Sequence, residues 1–286
     1  MTTEARGDPP VPSPTDAAAA PESTLTLSAG KRDLVFHAPF TNAAGFLGCN
    51  GAGRESIDFA CLGGYITPPL SLQPRYPAHG PRLLPFPGGF LLHTGHPNAG
   101  LRAAVRRDRR HWAVLPCPVI VHLLVHGPED AREAVRWIES IDDVAGLELG
   151  LGDVDAHQAA ALVTASAGEV PLIAHLPLGT APSVFIAAAE AGAQAVSIGA
   201  PRGALPGPNG ASIRGRLYGP AVFPLALQAV AELKEHLRVP IFAGGGVYRC
   251  EQAAALLRAG ADGVQLDGVL WTTPERVLPG LQREGS

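Results

Sequence analysis

Charge, sulfur and long apolar runs are all scarce in this chain, and each scarcity removes a class of function. Only 17% of its 286 residues are charged and the formal net charge is -4, so the basic excess that draws nucleic acid or an acidic membrane surface is missing. Cysteine occurs four times, at Cys49, Cys61, Cys117 and Cys250, with no C-x-x-C pair. That scatter argues against a disulfide framework or a thiolate zinc site and for reduced thiols in a cytoplasm. Cys49 and Cys61 are also too far apart for an iron–sulfur ligand run. No apolar stretch approaches the ~20 residues that span a bilayer. The N-terminus shows no basic segment leading into an apolar one, as a secretion signal would.

What the chain does have is aliphatic bulk, 46% hydrophobic residues, enough for a sizeable core. Residues 1–23 are the exception: rich in Pro, Ala, Ser and Thr, they hold almost nothing to bury and are expected to be a disordered tail. Residues 24–286 are expected to form one domain. Thr24–Ser28 and Leu34–His37 flank Ala-Gly-Lys-Arg as a small hairpin. A helical stretch over Arg54–Leu62 precedes the strand Gly64–Thr67. The Pro- and Gly-dense segment Pro68–Asn98 reads as a long functional loop. The arginines of the following helix, Ala99–Trp112, read as a solvated face.

From Pro118 the pattern alternates regularly. Strands are expected at Pro118–His122, Ala145–Leu149, Pro171–Leu176 and Ala195–Ile198, with helices at Pro128–Ser140, Ala156–Ala167, Pro182–Ala191 and Gly219–Leu237. The stretch Val239–Trp271 is a compact βαβ unit. Val239-Pro-Ile-Phe242 ends in Gly244-Gly-Gly246, a helix follows, and Val264-Gln-Leu266 ends at Gly268. A last helix is expected around Pro274–Gln282. Counted from Phe40, the strands number eight, which argues for an α/β protein of the (β/α)8 TIM-barrel class with an N-terminal β-hairpin plugging its lower end. Glycines directly after late barrel strands suit a phosphate-sized anion, because amides without side chains can cluster around it. The plainer reading is that glycines at strand ends only make tight turns.

Several segments, in order and at matching spacing from about Leu25 onward, resemble the dihydroorotate dehydrogenase family of FMN-binding barrels. They are Asn42-Ala-Ala-Gly45; Gly64-Tyr-Ile-Thr67 with Leu72-Gln-Pro-Arg75 and Pro81-Arg82; Thr94-Gly95 with Pro97-Asn98-x-Gly100; Gly215-Arg-Leu-Tyr-Gly-Pro220, similar to "GGLSGP"; and Gly245-Gly246 with Ala259-Gly-Ala-Asp-Gly-Val264-Gln. The resemblance implies a flavoprotein oxidoreductase, with FMN against Ala43, Ala44, Gly45 and Thr67 and the flavin phosphate against Gly219, Gly245, Gly246 and Gly268. By analogy it also implies a homodimer.

The departures redirect the expectation. The family's "GTA" after strand eight is Asp267-Gly268-Val269 here, and a carboxylate beside a phosphate dianion is repulsive unless paired or turned away. The family's lysines fall on Pro68 and His175, the asparagines that hold orotate on Leu92, Gly150 and Ala200, and the catalytic base at or beside Asp153. Each lost hydrogen-bond partner costs about 1–3 kcal/mol. The expectation is therefore FMN-dependent redox chemistry on a small substrate other than dihydroorotate, with His175 and Asp153 as the catalytic pair. Two alternatives stand beside it. One is an inactive barrel serving as a structural or regulatory subunit. The other is a metal-dependent hydrolase built on the rim histidines His93, His96, His122 and His175 with Asp153, for which no tight ligand spacing exists; Asp155 is a further polar group of that rim. Buried Glu148 needs a partner, and His175 on the next strand is the expected one.

Overall fold

The computed structural model describes residues 24–30, 32–48 and 57–278; the expected tail over 1–23 lies outside them. Strands β1 (Leu25–Ala29) and β2 (Arg32–Phe36) form an antiparallel hairpin, as the sequence predicts. Next come β3 (Phe40–Asn42), β4 (Tyr65–Ile66) and the short β5 (Leu70–Ser71). A hairpin of β6 (Leu83–Phe86) and β7 (Gly89–Leu92) leads to helix α1 (Leu101–Trp112). Strands β8 (Val119–Leu124), β9 (Gly146–Gly150), β10 (Leu172–Pro177) and β11 (Ala195–Gly199) then alternate with α2 (Pro128–Ile138), α3 (Ala156–Ser166) and α4 (Pro182–Glu190). A second hairpin, β12 (Arg202–Pro206) and β13 (Ser212–Tyr218), precedes α5 (Phe223–His236). The chain finishes with β14 (Ile241–Gly244), α6 (Cys250–Arg258), β15 (Gly263–Leu266) and the short α7 (Val269–Thr272).

The barrel runs β3-β15-β14-β11-β10-β9-β8-β4, all parallel, and a parallel bridge between Thr41 and Gly64 brings the last strand back to the first. Inward and outward positions alternate along each strand. The inward residues therefore fall into layers. The lowest is apolar: Leu27, Leu34 and Phe36 of the hairpin pack against Ile66, Ile120, Ile173, Ala195 and Phe242. Gly146 belongs to this layer because a Cβ there would stand 2.6 Å from the Leu34 side chain. Arg32 fastens the plug from outside, donating to the carbonyls of Glu139, Ile141 and Val144 at 2.9–3.2 Å.

Two expectations change at the upper end. Pro68–Asn98 is not one loop, nor is the Gly/Pro-rich stretch before Tyr218. They supply β6–β7 and β12–β13, which join as a four-stranded antiparallel sheet in the order β12-β13-β7-β6. Its prolines, Pro85 and Pro206, sit on the outer strands β6 and β12, where a missing N–H breaks no internal ladder. Elsewhere, the helix expected over Arg54–Leu62 is, among described residues, a single 3-10 turn at Phe59–Cys61. Of the expected final helix, the described residues show the turn Pro274–Arg276 followed by non-helical Val277 and Leu278, and positions 279–282 lie outside them.

Other sequence features find plain structural reasons. Asp155 caps α3, accepting the Gln158 N–H at 2.8 Å while Gln158 answers at 3.1 Å, a capping box. Asn98 of the Pro-Asn-x-Gly motif accepts the Gly100 N–H at 2.9 Å and donates to Ser71 Oγ at 3.1 Å, fixing the start of α1. The arginines of α1 face solvent, with Arg102 and Arg109 pairing to Glu133 and Asp143. No helix among the described residues is long and apolar enough to cross a membrane.

Candidate functional site at the barrel mouth

The layer above the apolar plug is polar and closed. Glu148 lies at its centre, 0% exposed. His122 on β8 donates from Nδ1 to Glu148 Oε2 at 2.6 Å. Ser197 on β11 and Gln265 on β15 donate to Oε1 at 2.8 and 2.5 Å. His175 on β10 reaches Oε1 only at 3.6 Å and instead contacts Ser197 Oγ through Nδ1 at 2.8 Å. The sequence-expected partner of Glu148 is thus secondary, and His122 on the opposite neighbouring strand is primary. Burial pushes the Glu148 carboxyl up, but His175 and the His122 hydrogen bond more than offset it and hold the group well below the usual carboxylate range. Burial keeps His122 below its ordinary imidazole range despite that carboxylate. Because Ser197 gives its hydroxyl proton to Glu148, His175 donates from Nδ1 to Ser197.

Above this layer β9, β11 and β14 end on Gly150, Gly199 and Gly244, and the buried Asp267 follows directly after β15. Asp267 accepts the N–H of Gly268 at 2.5 Å and that of Gly246. Burial raises its carboxyl to about 6, and those backbone donors pull partly against the rise. Gly246 and Gly268 are two of the four glycines that the resemblance assigned to a flavin phosphate. The amides of these two are occupied by the protein's own carboxylate.

The neighbouring glycines are filled in the same way. A Cβ on Gly219 would lie 2.1 Å from the Gly88 carbonyl oxygen in the β6–β7 turn. One on Gly246 would lie 2.4 Å from the Phe223 nitrogen, and one on Gly268 2.2 Å from the Tyr248 hydroxyl. Close approach of other backbone and side-chain atoms therefore requires glycine at Gly219, Gly246 and Gly268 whether or not their amides meet an anion. Gly245 alone of that set still faces a cavity.

That cavity, bounded by Ala43, Ala44, His122, His175 and Gly245, measures about 40 Å³, room for only a few waters. Its ceiling is the antiparallel sheet. Arg216 and Tyr218 descend from β13 into the mouth, where the family motif "GGLSGP" carries glycine and serine. The Arg216 guanidinium meets His96 Nε2. Tyr218 stacks on Phe90 and meets Phe46 edge-on, and Trp271 completes the cluster against Phe46 and Phe90 at centroid distances of 4.6 and 5.9 Å. Burial and the Arg216 charge hold His96 far below the imidazole range, at about 2. A second, larger cavity of about 490 Å³ opens beside the first and shares Ala44, Pro69, His96, Arg216 and Tyr218 with it.

The sequence-predicted residues divide accordingly. His175, Ala43 and Ala44 line the small cavity and Gly45 the larger one. Thr67 lines neither: buried, it accepts the His122 N–H at 3.1 Å and donates to the Pro68 carbonyl at 3.1 Å. Asp153 stands apart from both cavities, its side chain 70% exposed and paired with Arg202 at 2.9 Å. The two expected catalytic residues thus line different cavities, His175 the small one and Asp153 a separate one with Arg202 and Arg214. His93 Nδ1 bonds the Arg214 carbonyl at 2.7 Å. Among the described residues no three His, Cys, Asp or Glu converge as metal ligands. Arg216, Tyr218, Ser197 and Gln265 went unremarked in the sequence. For the first two, the signal is a bulky side chain inside a small-residue motif.

Strand order, plug and strand-end motifs define a (β/α)8 barrel whose working face is the C-terminal end of its strands. Comparison of sequences then fixes its kin. The chain is 30% identical to the dihydroorotate dehydrogenase B (NAD(+)) catalytic subunit of Geotalea daltonii, covering 80% of this chain and 82% of that protein. It is 29% identical to the subunit of the same name from Pelobacter propionicus, over 92% of this chain and 93% of the relative. This chain belongs to the dihydroorotate dehydrogenase family. No protein-family model matches it.

Proposed function

We propose that this protein is a member of the dihydroorotate dehydrogenase family that has exchanged the flavin site for side chains of its own, and that it works as a ligand-binding structural or regulatory subunit. The observation that carries this reading is Asp267, whose buried carboxylate takes the amides of Gly246 and Gly268. A phosphate at that place would meet a like charge in a water-poor setting, where repulsion is strong. Arg216 and Tyr218 add bulk at the mouth, between a cavity of about 40 Å³ and the adjoining one of about 490 Å³, where the family motif carries glycine and serine. The residues present do not fit FMN, and no reaction step is derived through it. Recognition of dihydroorotate is disfavoured separately, because Leu92, Gly150 and Ala200 replace the hydrogen-bonding set.

The second reading is an FMN-dependent oxidoreductase acting on another small substrate. It is favoured by family membership and by Ala43, Ala44 and His175, which keep their addresses around the mouth. It requires Arg216, Tyr218 and Asp267 to withdraw together. An assay of the purified protein with dihydroorotate, added FMN and a dye acceptor tests the proposal. No turnover above the protein-free control is expected; sustained dihydroorotate-dependent reduction would overturn it.

A further inference from the structure

The cavity of about 490 Å³ beside the mouth is walled by apolar groups on one side, among them Leu92, Pro69 and Trp271. On the other side it is cationic. Arg202 on β12 and Arg216 on β13 are cross-strand partners in register, and Arg214 shares the Arg216 face two residues away. All three residues line the cavity. Like charges set directly opposite on an antiparallel pair destabilise it, so this grouping calls for compensation. The protein supplies little. Asp153 pairs with Arg202 at 2.9 Å, but its own side chain is 70% exposed. Among the described residues neither Arg214 nor Arg216 has a carboxylate within ion-pair distance, and the neighbour of Arg216 is the uncharged His96. Burial, with Arg202 adding to it, depresses the Arg216 guanidinium.

We propose that this cavity is a binding site for a small organic dianion, a phosphate monoester or a dicarboxylate, held by the Arg214 and Arg216 guanidinium groups with its apolar body against Leu92 and Trp271. Two unpaired cations match two negative charges. Planar guanidinium forks also suit carboxylate and phosphate oxygens equally, through paired N–H donors. Recognition is by charge from the lid sheet, not by amide side chains at the strand ends. The inference deepens the non-flavin reading and rests on it, since it assigns the ligand that a subunit without flavin would sense.

The test is isothermal titration of the full chain with phenyl phosphate and, separately, with phthalate, at fixed ionic strength to hold screening constant. Saturable binding near one ligand per chain is expected for at least one of them. Arg214→Gln, at an exposed position, should weaken it by about tenfold or more, and so should Arg216→Gln. Binding of phenyl phosphate alone would assign a phosphate ester, and of phthalate alone a dicarboxylate. Absence of binding by either, or binding untouched by Arg214→Gln, overturns the site. The visible spectrum of the same sample keeps the two ideas separable. A flavin-loaded protein sinks the non-flavin reading whatever the anion does, while a colourless protein that binds neither anion sinks only the site.

Discussion

Asp267 and the two buried imidazoles have opposite pH signatures. The Asp267 carboxyl titrates near 6 in the folded protein against an ordinary 3.8. Between those values the folded state holds a proton that the unfolded chain has released, so this group costs stability as pH rises from about 4 to about 6, and the cost persists above. His96 and His122 are held below 6.5. The unfolded chain takes up protons there first, so they cost stability as pH falls below about 6.5. Two histidines against one carboxylate leave a net loss on acidification. Asp267→Asn removes the buried charge while its amide oxygen still accepts from Gly268. Relative to the parent it should gain about 3 kcal/mol at pH 7.5, or about 6–12 °C in melting temperature, and almost nothing at pH 4. Equal gaps at both pH values by calorimetry would show that Asp267 is not a buried charge.

At the scale of elements, the lid sheet decides what the barrel mouth is. Its two hairpins arise from the long connections after β5 and β11, and they meet where Tyr218 of β13 pairs with Phe90 of β7. Gly219 is the hinge of that meeting. It sits at φ +143 with the Gly88 carbonyl 2.1 Å from any Cβ, and backbone on both sides leaves nothing flexible to give way. Gly219→Ala therefore combines backbone strain with overpacking, about 3 kcal/mol together. Hydrogen exchange should quicken across 83–92 and 212–218 while β8 to β11 stay protected. Unchanged protection in the lid would mean that the turn contact does not hold it.

The lid is also where the sequence was least legible. The barrel strands announce themselves as apolar runs between helical periods, and the observed bounds fall within about two residues of the expected ones for β8 to β11. The hairpins carry proline and alternate exposed with half-buried residues, as β6 and β12 show. That is the pattern of a loop until a partner strand is known, and the pairing of β7 with β13 spans more than a hundred residues. Legibility at the site divides the same way. Strand-end addresses such as His175 and Ala43 follow from alternation and strand order. The filling of the glycine cradle depends on where Arg216, Tyr218 and Asp267 point, and spacing does not encode that.

At the scale of the whole molecule, the family frame is kept and its centre has changed. A plugged lower end, a buried Glu148 with His122, Ser197 and Gln265 around it, and a mouth covered by the lid sheet follow one another up the barrel, with the two cavities lying beneath the lid. On the proposed reading, Gly219, Gly246 and Gly268 let the chain close on itself where a flavin phosphate would otherwise sit. The visible absorption spectrum of the purified protein, taken after equilibration with excess FMN and removal of the unbound fraction, tests this most directly. A colourless protein is the predicted result. A flavin spectrum near one FMN per chain would contradict the account, because it would require Asp267, Arg216 and Tyr218 to vacate the mouth.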